Sequence, residues 1–419
     1  MKQRLRILMI AYACDPQGNG EHWLGWGWAR EAARHHDVVL IAPPRAEEAI
    51  REASMACGIA YHAVGISRWF RWCSERMGSV GTWMRKHAWQ RRVLKVARKL
   101  HDSEPFDIVH QTTFHTFRIP FSCARLGIPS VWGPIAGGES VPPGFERFLG
   151  PFAAAEARRS WLNRLCLGAP SVRTSLKSAS GILVSNRTTL AFLPAEYRDK
   201  CFVVSPNAVR DDDLESLLPA RPVSSAAFQI VFAGACAPTR AMPLVFEALA
   251  GGIGAEWKMS LAGNGPALGY WKSEAHRLGI SDRVSFLGNI PRDELASIYE
   301  RASILVFPAL RDSGGSAILD AMTKRIPILA LDWAGPGEMV DSSSAVLVAT
   351  RDPQSTVAGI RAGLQQLAAD PELGKSLAEN AFRRALEKYS WTGKFAGIDR
   401  LYRELATGAE SQHPSAEQT

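Results

Sequence analysis

Residues Ile304–Met322 read ILVFPALRDSGGSAILDAM. A short apolar run suited to a buried strand gives way to Arg311 and Asp312, then to the pair Gly314–Gly315, then to a segment with helical apolar spacing. Strand, glycine turn and helix in that order make the repeating unit of a parallel sheet covered by helices on both faces. If the helix begins near Gly314, Asp312 stands at its mouth, where a carboxylate favours the helix dipole by ~0.3–1 kcal/mol. Asp320 lies more than a turn inside, between Ala317 and Ala321, and capping does not explain it. A carboxylate that reaches diol hydroxyls would, since it offers strong acceptors.

The same alternation extends outward in both directions. Expected strands in the first half are RILMIAY, VVLIA, DIVH, SVWG, GILVS and CFVVS. Those in the second half are QIVFAG, KMSLAG, RVSFLG, ILVFPA, PILAL and AVLVA. A chain of 419 residues with 46% hydrophobic residues is long for one core and makes two α/β domains. Residues 1–205 are expected to form the first and 229–391 the second, with the proline- and charge-rich stretch 206–228 as linker. The helical stretch 392–407 is expected to pack back on the first domain, and 408–419 to be a disordered tail.

Net charge is +8, which favours acidic partners without choosing among them. Seven cysteines without a CxxC pair fit reduced thiols in a cytoplasmic protein. The apolar run near the N-terminus is too short for a signal peptide, and no run approaches the ~18 residues of a membrane span. The protein is therefore expected to be soluble or peripheral.

Residues 67–100 interleave many arginines and lysines with Trp69, Phe70, Trp72, Trp83 and Trp89. Such a segment suits an anionic bilayer interface. It equally suits a helix that covers the sheet and shows water a basic face, with Gly78 and Gly81 interrupting any single long helix. Backbone contacts to nucleic acid are a third use of such residues, but no nucleic-acid-binding motif accompanies them.

In open parallel sheets, ligands bind beyond the carboxyl ends of the strands. There glycine lets a phosphate approach the backbone, and a helix start offers unpaired N–H groups. Candidate loops are DPQGNGEHWLGWGW with Gly20, GACAPTRAMP with Gly234 and Arg240, AGNGPAL with Asn264 and Gly265, LGNIP with Asn289 and Ile290, and the opening stretch. Together they point to a nucleotide or sugar-phosphate ligand in a cleft between two doubly wound domains.

The motifs FAGACAPTRAMPLVFEAL, LAGNGPAL, DRVSFLGNIPRDEL, YERASILVFPALRDSGGSAILDAM and PILALDWAGPGEMV, in this order, closely resemble the C-terminal domain of GT-B glycosyltransferases of family 4. RILMIAYACDP and DIVHQTTFHTFRIP resemble the N-terminal domain of a bacterial branch. The resemblance implies two facing Rossmann-like domains (GT-B), with a nucleotide-sugar donor on the second and an acceptor on the first. It implies a metal-independent hexosyltransferase that retains anomeric configuration, needs no cofactor, and acts in surface polysaccharide or glycolipid assembly.

By that resemblance Asp312 contacts donor-sugar hydroxyls and Asp320 the nucleotide ribose. Gly314 and Gly315 present backbone N–H groups, and Arg240 faces the diphosphate. His110 and His115, placed in the loop after DIVH, are expected to hydrogen-bond donor sugar or acceptor, with Arg118 and Glu139 on the acceptor side. The family's usual arginine is Ala235 here, and its second glutamate is the shorter Asp320. These departures leave a rival open, a weakly active or non-catalytic GT-B protein that binds a sugar nucleotide or partner. A nucleotide-sugar epimerase shares the architecture but has no supporting motif.

Overall fold

The computed structural model describes residues 3–209 and 227–408. Most of the expected linker and tail therefore lie outside the described residues. The chain divides into two compact units.

The first unit holds residues up to Gly138, Leu162–Pro206 and those from Trp391 onward. Its sheet has the strands β1 (Arg6–Ile10), β2 (Asp37–Ala42), β3 (Ala60–Ala63), β4 (Ile108–Gln111), β5 (Ser130–Ile135), β6 (Gly181–Val184) and β7 (Cys201–Val203). All pair in parallel in the order β3-β2-β1-β4-β5-β6-β7. Central strands are buried on both faces, which is why they read as continuous apolar runs. β3 was not expected from sequence, because AYHA at the sheet edge is half exposed and carries no such run.

The helix Glu21–Ala33 packs on the C-terminal helix Trp391–Thr407, and glycine permits the close approach. A Cβ on Gly27 would lie 2.1 Å from the Trp391 ring, and one on Gly25 would lie 1.9 Å from the Ala13 carbonyl. These glycines serve packing. The basic segment forms two helices, Arg68–Glu75 and Gly78–Ser103. Of the two glycines expected to interrupt it, Gly78 (φ +55) sits at the break, whereas Gly81 lies inside the second helix, where a Cβ would meet the Ser74 carbonyl at 1.8 Å.

The second unit comprises Glu139–Trp161 and Asn207–Ser390. Its strands β8 (Phe228–Ala233), β9 (Trp257–Ala262), β10 (Val284–Gly288), β11 (Ile304–Phe307), β12 (Ile328–Asp332) and β13 (Val346–Ala349) pair in parallel as β10-β9-β8-β11-β12-β13. The opening stretch is β11, its loop, and the helix Ser316–Thr323. One expectation is corrected: Glu139–Trp161, assigned from sequence to the first domain, belongs to the second unit. Phe145, Phe148 and Leu149 are buried in that unit's core with Met242, Phe246 and Trp271, so apolar burial decides its membership.

Candidate functional site

In both sheets the strand order reverses direction once, between β1 and β4 and between β8 and β11. The loops leaving such neighbours diverge and open a crevice at the carboxyl edge.

At the second sheet, the loop after β8 and the loop after β11 are tied by a hydrogen bond from the Leu310 amide to the Thr239 carbonyl, 2.8 Å. This brings Arg240 and Asp312 into an ion pair, both side chains largely buried. The Arg240 guanidinium lies 4.4 Å from the centre of the Phe307 ring, and its Nη1 is buried with no hydrogen-bond partner among the described residues. Burial lowers the Arg240 pKa from its usual value, and the Asp312 charge opposes that shift. Asp312 Oδ1 also accepts from the Gly314 amide at 2.7 Å, which shapes the turn into the helix. Gly335 passes so close that a Cβ would lie 2.2 Å from the Ser313 carbonyl.

The neighbouring loops are laced to this one through their backbones. The Gly234 amide donates to Ala262 (2.9 Å), Cys236 to Asn264 (2.9 Å) and Gly263 to Gly288 (2.7 Å). Gly263 has φ +144, and a Cβ there would lie 1.9 Å from the Gly234 carbonyl, so no other residue fits. The Asn264 side chain accepts from the Gly265 amide at 2.7 Å. Thus Gly234, Arg240, Asn264, Gly265, Asp312, Gly314 and Gly315 all stand at the carboxyl edge of one sheet, and Asn289 and Ile290 follow β10 on the same edge. Asp320 is inside the helix Ser316–Thr323. Its charge acts on the Tyr299 phenol, whose pKa is pushed well up, by burial first and by Asp320 second.

Two partners at this site were not read from sequence. Glu156 binds Arg311 (2.7 Å) and Arg159 (3.1 Å), and so holds the residue next to Asp312. Trp333 Nε1 donates to the Ser140 carbonyl at 3.0 Å. Both come from the segment whose membership the sequence concealed.

The first sheet's reversal point is built differently. His110 is not in a loop; it is the third residue of β4 and is fully buried. Its Nδ1 meets the Tyr402 hydroxyl and its Nε2 the Gly133 carbonyl, 2.8 Å away. Burial drives its pKa down to about 4. With both nitrogens occupied it binds the C-terminal helix to the sheet, which corrects the expectation of a ligand-facing histidine.

His115 does follow β4, and its amide donates to Glu21 at 2.9 Å. Its Nε2 is buried without a partner among the described residues. Burial lowers its pKa, with the Glu21 charge opposing. Gly20 (φ +55) caps the helix that carries Glu21. Lys394 from the C-terminal helix lies nearby, 4.7 Å from the Trp28 ring, its pKa lowered by burial to about 7. Arg118 Nε donates to Asn163 at 2.5 Å within the same unit, whereas Glu139 belongs to the second unit. Among the described residues no group of three or more His, Cys, Asp or Glu side chains is placed to hold a metal ion, and no helix is long and apolar enough to cross a membrane.

Residues 220–384 match the family described as glycosyl transferases group 1. A D-inositol 3-phosphate glycosyltransferase of Corynebacterium urealyticum is 33% identical over 146 residues, covering 34% of this chain and 33% of that protein. A Frankia alni protein of the same description is 26% identical, with 74% and 77% covered. The chain spans about a third of the length of the curated relatives it matches first. Among solved structures, Anabaena Alr3699/HepE in complex with UDP and glucose superposes with a TM-score of 0.60 at 15% identity, covering 96% of this chain and 100% of that one. The chain thus carries a group 1 glycosyltransferase domain within a GT-B fold of two Rossmann-like parallel sheets.

Proposed function

We propose that the protein is a glycosyltransferase that moves a sugar from a nucleotide-diphosphate donor to a glycan or lipid-linked acceptor, with retention and without a metal. The observation that carries this is the meeting of Arg240 and Asp312 at the β8/β11 reversal. A guanidinium offers a charged fork to diphosphate oxygens, and a carboxylate accepts from sugar hydroxyls. The two pair with each other, while Arg240 Nη1 keeps no hydrogen-bond partner among the described residues. On donor binding, the diphosphate takes Arg240 and the sugar takes Asp312, with the Gly314 and Gly315 region at the start of the following helix.

Retention without a protein nucleophile implies attack from the leaving-group face. The bond from the anomeric carbon to the diphosphate oxygen breaks, the bond to the acceptor oxygen forms, and the acceptor proton passes to the departing diphosphate. The protein contributes positioning and charge stabilisation of the leaving group. Arg240 carries that task without a second cation at Ala235. Asp320 remains assigned to the ribose and His115 to sugar or acceptor, while Asn264, Gly265, Asn289 and Ile290 line the nucleotide side. The reading is supported by the group 1 match and by UDP and glucose in the Anabaena structure.

Titration calorimetry with UDP, GDP and dTDP tests it. One of them should bind, and Arg240→Ala should weaken that binding at least about tenfold, ~1.4 kcal/mol. Nucleotide binding without turnover on any acceptor would favour the non-catalytic rival.

A peripheral place at an anionic membrane face belongs to the same proposal. It is supported by Trp69, Trp72, Val80 and Trp83, which are 73%, 55%, 58% and 49% exposed. They share the two basic helices with Arg68 and Arg71, and Arg76, at the junction between the helices, stacks 3.6 Å from the Trp72 ring. Large apolar side chains clustered in water among cations suit the headgroup boundary of a bilayer.

A further inference from the structure

The first unit contains a pocket of about 250 Å³ whose lining, Arg71 apart, has no role assigned above. It opens beyond the carboxyl ends of β1, β2 and β3, and the two basic helices complete its wall. Tyr12 and Trp89 form an apolar side, their rings 5.0 Å apart and edge to face. Trp89 is fixed by donating Nε1 to the Val64 carbonyl at 2.7 Å. Arg45, which follows β2, stands over the Tyr12 ring at 5.5 Å. Arg71 and Arg85 reach the pocket from the helices, and so does Glu75.

The charge in this pocket is unbalanced: three guanidinium groups face one carboxylate. Among the described residues neither Arg45 nor Arg71 makes an ion pair, and Arg85 donates to the neutral hydroxyls of Ser74 (3.2 Å) and Thr82 (2.9 Å). Nearby, burial lowers the Lys86 pKa, with the Glu21 charge opposing that shift and the Arg45 charge adding to it. Gathering like charges in a concave site is unfavourable unless an anion joins them. The surplus of two positive charges matches a phosphate monoester, which carries about −1.5 to −2 near neutrality and three acceptor oxygens. An aromatic wall beside such donors suits the ring that bears the phosphate.

We infer that this pocket binds the phosphate of a phosphorylated acceptor, through Arg45, Arg71 and Arg85, with the acceptor's body against Tyr12 and Trp89. The word acceptor rests on the transfer reaction proposed above; the anion site does not. The phosphate can arrive on a soluble sugar or on a lipid headgroup, and the chemistry at the arginines is the same.

Calorimetry of the full chain with D-glucose 6-phosphate and with dihexanoyl phosphatidic acid tests the site. At least one should bind, and the tighter of the two tells which source the phosphate has. Arg71→Gln with Arg85→Gln should weaken that binding about tenfold or more, as expected for lost charge-assisted hydrogen bonds. The corresponding lysine pair should retain part of it. Arg240→Ala should leave it unchanged, which separates this pocket from the diphosphate site. Nucleotide binding, in turn, should survive the glutamine pair; its absence in the unaltered protein would overturn the donor assignment and leave this one standing. Arg45→Gln, in a surface loop, repeats the test if the double variant unfolds. No binding of either probe, binding indifferent to the arginines, or binding lost on Arg240→Ala alone would overturn the proposal.

Discussion

Arg240 and Asp312 meet where β8 and β11 part, on loops that stop at the sheet edge, and a buried guanidinium nitrogen there has no acceptor among the described residues. Where β1 and β4 part, His110 is enclosed between Gly133 and Tyr402, and the C-terminal helix supplies the partner that completes it. The topology is the same, yet the polar groups have opposite fates. When the polar side chains of a reversal point lie past the strand ends, they stay available to a ligand. When they lie within the strand, a neighbouring helix takes them up and the result is stability.

Variants can break this contrast. The largest effect is expected at the second sheet, where Arg240→Ala and Asp312→Ala should each lower transfer by at least about tenfold per folded molecule, the folded fraction being measured by urea unfolding because the remaining partner is left buried and unpaired. Activity near the original in both would mean that the ion pair is structural. Gly263→Ala should do the reverse of a clean site lesion. Its Cβ would press on the Gly234 carbonyl at φ +144, costing roughly 1–3 kcal/mol of stability and nucleotide affinity with it; an unchanged midpoint would show that the loops are not locked together.

At the first sheet the expected signature is pH dependence. His110 holds a pKa of about 4 when folded, against an ordinary value of 6.5. Between those values the unfolded chain binds the proton and the folded one does not, so this stability is complete above 6.5 and is lost as pH falls to about 4. Urea unfolding across that window should show a slope that His110→Asn flattens, with little change in nucleotide binding. An equal slope in the variant would remove His110 from the account. The smallest effect is expected at the exposed tryptophans. Replacing Trp69, Trp72 and Trp83 by serine should reduce sedimentation with anionic vesicles severalfold, and added salt should reduce it in the unaltered protein. Binding that is absent throughout would remove the membrane contact.

Much of this was legible in the sequence. Twelve expected strands correspond to strands of the two sheets, because central parallel strands are apolar on both faces. The edge strand Ala60–Ala63 was not, since half-exposed AYHA lacks that pattern. The loops around Gly234 and Gly263 were legible because their backbones demand glycine whatever the ligand, Gly234 by its φ of +133 and Gly263 by its close approach to the Gly234 carbonyl. Glu156 beside Arg311 was not, because an acid in an alanine-rich helix gives no hint of a partner so distant in sequence. His110 was misplaced because the polar letters after DIV hide the end of the strand: β4 continues through Gln111 and is buried at all four residues, so a polar side chain there is sealed on either face.

The central claim is that Arg240 and Asp312 hold a nucleotide sugar for transfer. Its most direct test is mass-spectrometric detection of product with UDP-, GDP- and dTDP-sugars in the presence of membrane extract, for the unaltered protein and for Asp312→Ala. The account predicts a glycosylated product from one donor class and its loss, at least about tenfold, in the variant. Product formed equally by both proteins, or neither donor binding nor product in the unaltered one, would contradict it.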